Sequence, residues 1–155
     1  MAFNDHRDFF ETLEKEGELL RITQEVDWDV EMGAIGRRVY EKSGPCLLFE
    51  NIKDYPEGYR ISNGTSGTWP RVALAMGLPK DAPIREIYGR YESLLEKKIP
   101  PRVIKKDEAP CNENIMLGDD VDLYKFPTPM IHEGDGGRYI GAWDLVVCKD
   151  PETNW

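Results

Sequence analysis

Side chains able to do acid–base, metal or nucleophilic chemistry fall in four places in this sequence. His132, Glu133 and Asp135 are metal-ligand types close together. No histidine follows at the helical spacing of an HExxH zinc site, and Gly134, Gly136 and Gly137 make the stretch a loop, so a solvated acidic turn accounts for it. Asp120 and Asp122 are two apart, so on a strand both would point to one face and could take a divalent cation. The Gly and terminal Glu of an EF-hand loop are absent, and a solvated face or a cap onto neighbouring backbone is the expectation. The stretch Asn63-Gly64-Thr65-Ser66-Gly67-Thr68 has the outline of a phosphate-binding loop leading into a helix. It matches neither GxxxxGK[ST] nor GxGxxG, and a tight strand-to-helix connection explains it as well. Cys46, Cys111 and Cys148 could include a nucleophile only with a base nearby, and neither His6 nor His132 lies close in sequence.

The elements that must position these groups follow from periodicity and punctuation. Asn4 or Asp5 caps a helix with Phe9, Phe10 and Leu13 on one face and Gly17 as its stop. Glu18 to Gln24 forms a short strand. Asp27 or Asp29 starts a second helix carrying Met32, Ile35 and Val39, which ends at Ser43-Gly44-Pro45. Cys46-Leu47-Leu48-Phe49 is a continuous apolar run of strand length, the mark of a strand covered on both faces. Tyr59 to Ser62 is a second core strand. Pro70 opens a helix through Val72, Ala73 and Met76, closed by Gly77. Pro83 opens another, with Ile84, Ile87, Tyr91 and Leu94 on one stripe, Lys97-Lys98 in its last turn and Pro100-Pro101 as its stop.

After Pro101 the texture changes. Asn114 to Leu117 is a candidate short strand, Phe126-Pro127-Thr128-Pro129 is extended, and Gly134 to Gly137 is a flexible turn. Tyr139 to Cys148 is aromatic and β-branched, the strongest strand pattern in the chain. Followed only by a turn, it would be an open edge without a partner, which points to a fragment: a first domain and the opening strands of a second.

Bulk properties narrow the partners. The 155 residues suit one domain and part of another, and 40% hydrophobic content suffices for a core. No apolar run approaches membrane-spanning length, and the polar, acidic N-terminus lacks a signal-peptide layout. The net charge is −9, of which residues 111–155, with 9 acids and 3 bases, hold −6. Such a field repels phosphate backbones and anionic lipid, so neither nucleic acid nor membrane is an expected partner. The cysteines are odd in number and form no CxxC pair, which excludes a disulfide framework and a structural zinc site. Cys46 and Cys148 sit beside apolar runs and are expected as small buried hydrophobes of a cytoplasmic chain. These properties define an acidic α/β domain without an identified active site.

The motifs taken in order say more. Asp8-Phe9, Glu16-Gly17-Glu18-Leu19, Arg21-Ile22, Val26-Asp27, Gly44-Pro45-Cys46-Leu47-Leu48-Phe49-Glu50-Asn51 and Arg71-Val72-Ala73-Leu74 make a first set. Ala109-Pro110-Cys111, Gly118-Asp119-Asp120-Val121-Asp122-Leu123, Phe126-Pro127 and Asp135-Gly136-Gly137-Arg138-Tyr139-Ile140 make a second. Each is weak alone; the ordered set, running over essentially the whole chain, resembles the UbiD family of prenylated-flavin-dependent carboxy-lyases. Glu50 to Pro56 and His132 to Tyr139 look closest to its phenylphosphate carboxylase-like and phenolic-acid members.

The resemblance implies an α/β (α+β) N-terminal domain with a small mixed sheet over residues 1–108. It implies that residues 109–155 begin a split β-barrel that binds prenylated FMN. It also implies a parent about three times as long, with a C-terminal oligomerisation domain and hence a homo-oligomer. The implied reaction is reversible decarboxylation of a small aromatic acid, a phenol plus CO₂ being the other side. The cofactor carries the chemistry, with its phosphate held through Mn²⁺ and K⁺, and a Glu-Arg-Glu set handles the proton. Residue by residue, the family's Asn metal ligand and catalytic Arg follow the Asp150-Pro151-Glu152-Thr153-Asn154-Trp155 stretch, so no catalytic residue falls here and the piece alone is expected to be inactive. Trp155 matches a position whose carbonyl helps ligate K⁺ beside the cofactor. Ala142, with Ile140, matches a strand lining the cofactor and substrate pocket. Two other readings stand beside this one: a short non-catalytic subunit or binding module that docks on a catalytic partner, and a plain flavin-binding domain with its phosphate site at Asn63 to Thr68.

Overall fold

A computed structural model describes residues 3–97, 99–100, 102–142, 144, 146, 148 and 150–153. Its frame is a three-stranded mixed sheet in the order β1-β2-β3, as the small mixed sheet of the sequence analysis requires. The strands are β1 (Leu19–Ile22), β2 (Cys46–Phe49) and β3 (Ile61–Asn63). β2 lies in the centre, parallel to β1 with Leu19 opposite Cys46, and antiparallel to β3 with Phe49 opposite Ile61. The parallel pair requires a crossover, which α2 (Glu31–Glu41) supplies.

All four residues of β2 are buried, as its unbroken apolar run requires. Alternation then sends Leu47 and Phe49 to one face and Cys46 to the other. Leu47 and Phe49 pack with Val26, Met32 and Ile52, and Ile35 and Val39 of α2 close that side. Cys46 packs with Leu74 of α3 (Trp69–Ala75) and with Phe9 and Leu13 of α1 (His6–Lys15). Helices therefore cover both faces of the sheet. α1 begins where its cap requires: the Asp5 carboxylate accepts the Arg7 and Asp8 N–H groups. The last helix, α4 (Ile84–Leu95), buries Ile87 but leaves Ile84 and Tyr91 about half exposed, so its expected stripe is only partly covered.

Several expectations need correction. α2 does not start on an aspartate cap. Its N-cap is Val30, at φ 66°, while the Asp27 carboxylate accepts the Asp29 N–H and the Glu31 carboxylate accepts the Asp27 N–H one turn earlier. The second core strand begins at Ile61, two residues later than Tyr59, because only Ile61 to Asn63 lie opposite β2. α4 ends at Leu95, so Lys97 lies beyond its last turn, and Lys98 is outside the described residues. Asn114 to Leu117 is no strand, and Asp119-Asp120 lies in a 3₁₀ turn, because nothing pairs with this stretch. Among the described residues of Tyr139 to Cys148 none is in a strand either. The β-favouring composition is there, but a strand exists only when its N–H and C=O groups meet a neighbour. The barrel opening expected over 109–155 is therefore not formed among the described residues. Cys148, expected to be buried, is exposed for the same reason.

Candidate functional site

The second half of the chain meets the first at one seam. The Val30 N–H donates to the Met130 carbonyl (2.9 Å), and the Met130 N–H donates to the Trp28 carbonyl (3.0 Å), so Met130 pairs with Asp29 in a parallel bridge. One residue on, the Ile131 carbonyl presses into α2 at Gly33, where a Cβ would sit 1.8 Å from its oxygen. Only glycine permits that approach. Val30, at a positive φ of 66°, is the residue whose N–H makes the bond to the Met130 carbonyl.

With Met130 pinned, Phe126 to Pro129 run alongside the β3 edge and leave a cleft of ≈ 490 Å³ between them. Ile61 to Asn63 of β3, with Arg60 and Gly64, form one wall; Phe126 to Pro129, Ile131 and Tyr139 form the other. Ile140 and Ala142, the two residues expected beside cofactor and substrate, both line this cleft. They do so from irregular backbone, and Ile140 is 60% exposed. Trp155, expected beside the cofactor and K⁺, lies outside the described residues. The lining is largely apolar, with one cation, Arg60, 3.7 Å from Glu50. Glu50 is engaged more closely by Arg21 at 2.7 Å, which leaves Arg60 loosely held. The cleft can take a flat apolar body carrying negative charge at one end.

Arg138 stands behind this wall. Its guanidinium donates from Nε to the Thr128 carbonyl and from Nη2 to the Tyr55 hydroxyl and, at 3.4 Å, the Phe126 carbonyl. It lies 4.1 Å over the Trp28 ring. The sequence carries only a faint sign of these roles. Arg138 follows two glycines, and Gly33 interrupts an otherwise good helix, but Arg138 meets Trp28 and Tyr55, and Gly33 meets Ile131, across roughly 80 to 110 positions of sequence.

The other chemical candidates resolve into local structure. The Asp135 carboxylate accepts the His132 N–H (3.0 Å) and lies 3.5 Å from its Nδ1, closing the acidic turn on itself. Asp122 accepts the Tyr124 N–H at 2.9 Å, the backbone cap expected of it. Among the described residues no three His, Cys, Asp or Glu side chains gather where they could hold a metal ion. The Asn63 to Thr68 loop is the tight connection: the Gly67 N–H closes onto the Gly64 carbonyl, and the loop packs over Arg71. Arg71 is 2% exposed and is bound to Glu18 (3.1 Å) and the Gly44 carbonyl (2.9 Å). Its charge is used in holding β1 and the end of α2 together.

Comparison with known proteins agrees with this architecture. Residues 10–91 match the family model of the 3-octaprenyl-4-hydroxybenzoate carboxy-lyase N-terminal domain, and residues 102–155 match its Rift-related domain. The chain is 38% identical to pyrrole-2-carboxylic acid decarboxylase of Pseudomonas aeruginosa over 97% of its length, and 40% identical to phenolic acid decarboxylase of a Streptomyces species over 98%. Each match covers 32% of the relative, so the chain spans about a third of the curated relatives it matches. Among solved structures, vanillic acid decarboxylase of Sedimentibacter hydroxybenzoicus in open form superposes with a TM-score of 0.81 at 34% identity, over 90% of this chain and 30% of that one. An evolved dimeric form of the UbiD-class enzyme HmfF from Pelotomaculum thermopropionicum, solved in complex with prFMN, gives 0.70 at 31% identity, over 85% and 29%. With both of its parts matched in order by the carboxy-lyase models, the chain belongs to the UbiD family.

Proposed function

We propose that these residues are the N-terminal portion of a UbiD-class carboxy-lyase that reversibly decarboxylates a small aromatic acid, a phenolic acid first, with prenylated FMN. The observation that carries this is the match to decarboxylases across both parts of the chain, in sequence and in fold. Prenylated FMN, when bound, supplies the electron sink that aromatic decarboxylation needs. The part played by this chain is narrower. Ile140 and Ala142, with Phe126 and Tyr139, offer an apolar surface against which a flat ring can be oriented. The cleft volume falls in the range of roughly 300–1,000 Å³ typical of small-molecule sites. Arg60 in the lining suits a carboxylate or phosphate.

In this proposal residues 1–108 form the α/β domain. Residues 109–155 open the split barrel, where Tyr139 to Cys148 find their strand partners in the rest of the protein. Among the described residues no three His, Cys, Asp or Glu side chains gather where they could hold Mn²⁺. The proposal assigns both ions, with the proton-handling Glu-Arg-Glu set, to the remaining two-thirds, Trp155 being the expected contact of this chain with K⁺. Among the described residues no helix is long and apolar enough to cross a membrane, and the net charge is −9. Both support a cytoplasmic protein without nucleic-acid or membrane partners, and the dimeric HmfF form supports a homo-oligomer.

The test is a chimera. These 155 residues replace the matching third of the Streptomyces phenolic acid decarboxylase, and CO₂ release is measured with prenylated FMN, Mn²⁺ and a panel of phenolic acids. The chimera is expected to turn over, and the 155-residue chain alone to release no CO₂. Turnover by the chain alone, or a folded chimera that retains cofactor but decarboxylates none of the acids, overturns the proposal.

A further inference from the structure

We infer that Arg138 is a positioning residue: from outside the cleft, it fixes the wall against which the ring of cofactor or substrate rests. The inference rests on the function proposed above. Arg138 belongs to the second part of the chain, while two of its partners, Trp28 and Tyr55, belong to the first. Its guanidinium carbon lies 4.1 Å from the centre of the Trp28 ring, with the Tyr124 and Tyr55 rings at 5.5 and 5.8 Å. It donates to the carbonyls of Thr128 and Phe126 and to the Tyr55 hydroxyl. The Tyr55 hydroxyl in turn donates to the Tyr124 carbonyl (2.8 Å), and the Trp28 indole N–H donates to the Asp54 carboxylate (3.3 Å).

The consequence lies in what these partners are attached to. Phe126 and Thr128 line one wall of the cleft, and Ile140, two residues beyond Arg138, lines it as well. One side chain therefore ties two stretches of that wall to each other and to the N-terminal domain. The partners named are neutral, so the cation is held by ring faces and carbonyl dipoles, which bulk salt screens weakly. Lysine would keep the charge over Trp28 but could not fork to two carbonyls and a hydroxyl. Because Arg138 lies behind the wall, its loss loosens the binding surface without removing a reacting group. The wall must then be ordered at each binding event, which weakens ground state and transition state alike and raises KM rather than lowering kcat.

The test uses the intact holoenzyme that carries these residues, with R138M, R138K and Y55F. Two readouts are needed: KM and kcat on a phenolic acid, and hydrogen exchange at the Val30 and Met130 amides, whose bonds form the seam. R138M is expected to raise KM about 10-fold with kcat within about 3-fold of wild type, and to speed exchange at both amides about 10-fold. R138K and Y55F should move both readouts the same way by smaller factors. Wild-type exchange in R138M, or a fall in kcat at unchanged KM, overturns the inference; so does faster exchange with both kinetic constants unchanged. A wild-type holoenzyme that decarboxylates no phenolic acid defeats the functional proposal instead. Exchange in R138M then decides the clasp alone: faster sustains it, unchanged overturns it.

Discussion

Cys46 shows how burial decides the chemistry of a residue whose type alone suggests reactivity. It is fully buried among Phe9, Leu13 and Leu74, and its Sγ meets nothing stronger than the Leu47 carbonyl at 3.7 Å. Burial pushes its thiol up to about 11, against a smaller opposing pull from Arg71. Cys111 and Cys148 are exposed. A thiol reagent at roughly pH 8 should therefore label two cysteines in the native protein and the third only after denaturation; rapid labelling of all three in the folded state would contradict this. The sign of the pH effect follows. An unfolded thiol loses its proton near 9.0 and the folded one near 11, so stability falls as pH rises between them. The burial of Cys46 was legible because it stands in an unbroken apolar run. Cys148 follows a similar run, yet it is exposed, and no described residue of that run is in a strand. Composition states what a segment can bury and not what it meets. The same holds at the candidate site: nothing near Arg138 or Gly33 in sequence names Trp28 or the Ile131 carbonyl.

At the scale of elements, those with a local cause were legible. α1 has its aspartate cap, β2 its run of apolar residues, and α3 its proline in the first turn, and each forms where those signals lie. Elements defined by a partner were displaced or absent: β3 starts late because only Ile61 to Asn63 lie opposite β2, and α2 has as its N-cap Val30, whose N–H is bonded to the Met130 carbonyl. The sheet's energetics should follow the same division. Leu47 is 1% exposed at the centre of β2, whereas Leu20 of β1 is 50% exposed. Leu47→Ala should cost about 2–5 kcal/mol of unfolding free energy, from lost transfer energy and the cavity left behind. Leu20→Ala should cost less than about 1 kcal/mol. Urea titration followed by the tryptophan signal measures both, and equal losses for the two would mean that β2 is not the centre of the core.

At the scale of the whole molecule, cohesion is unevenly spread. The last buried position among the described residues is Ile87, and from there to Thr153 the chain offers no fully buried side chain. Residues 102–125 consist of 3₁₀ turns and extended links with side chains that are almost all exposed. The next firm attachment is the seam at Met130, Ile131 and Arg138. Such a distribution predicts two levels of opening: a costly one for the sheet and its helices, and a cheap one for the connection that leads to the seam. Limited proteolysis with trypsin should therefore cut first within 97–125, where Lys105 and Lys106 stand in an exposed turn. Arg71, buried under the Asn63 to Thr68 loop, should be among the last sites reached. If the seam carries the attachment, the 126–153 piece should remain with the 3–95 piece after the first cut, since its bonds to Trp28, Val30 and Tyr55 do not pass through the severed link. Size-exclusion chromatography of the nicked protein settles the point: co-elution is expected, and separation would show that the connecting chain, and not the guanidinium clasp, holds the two parts together.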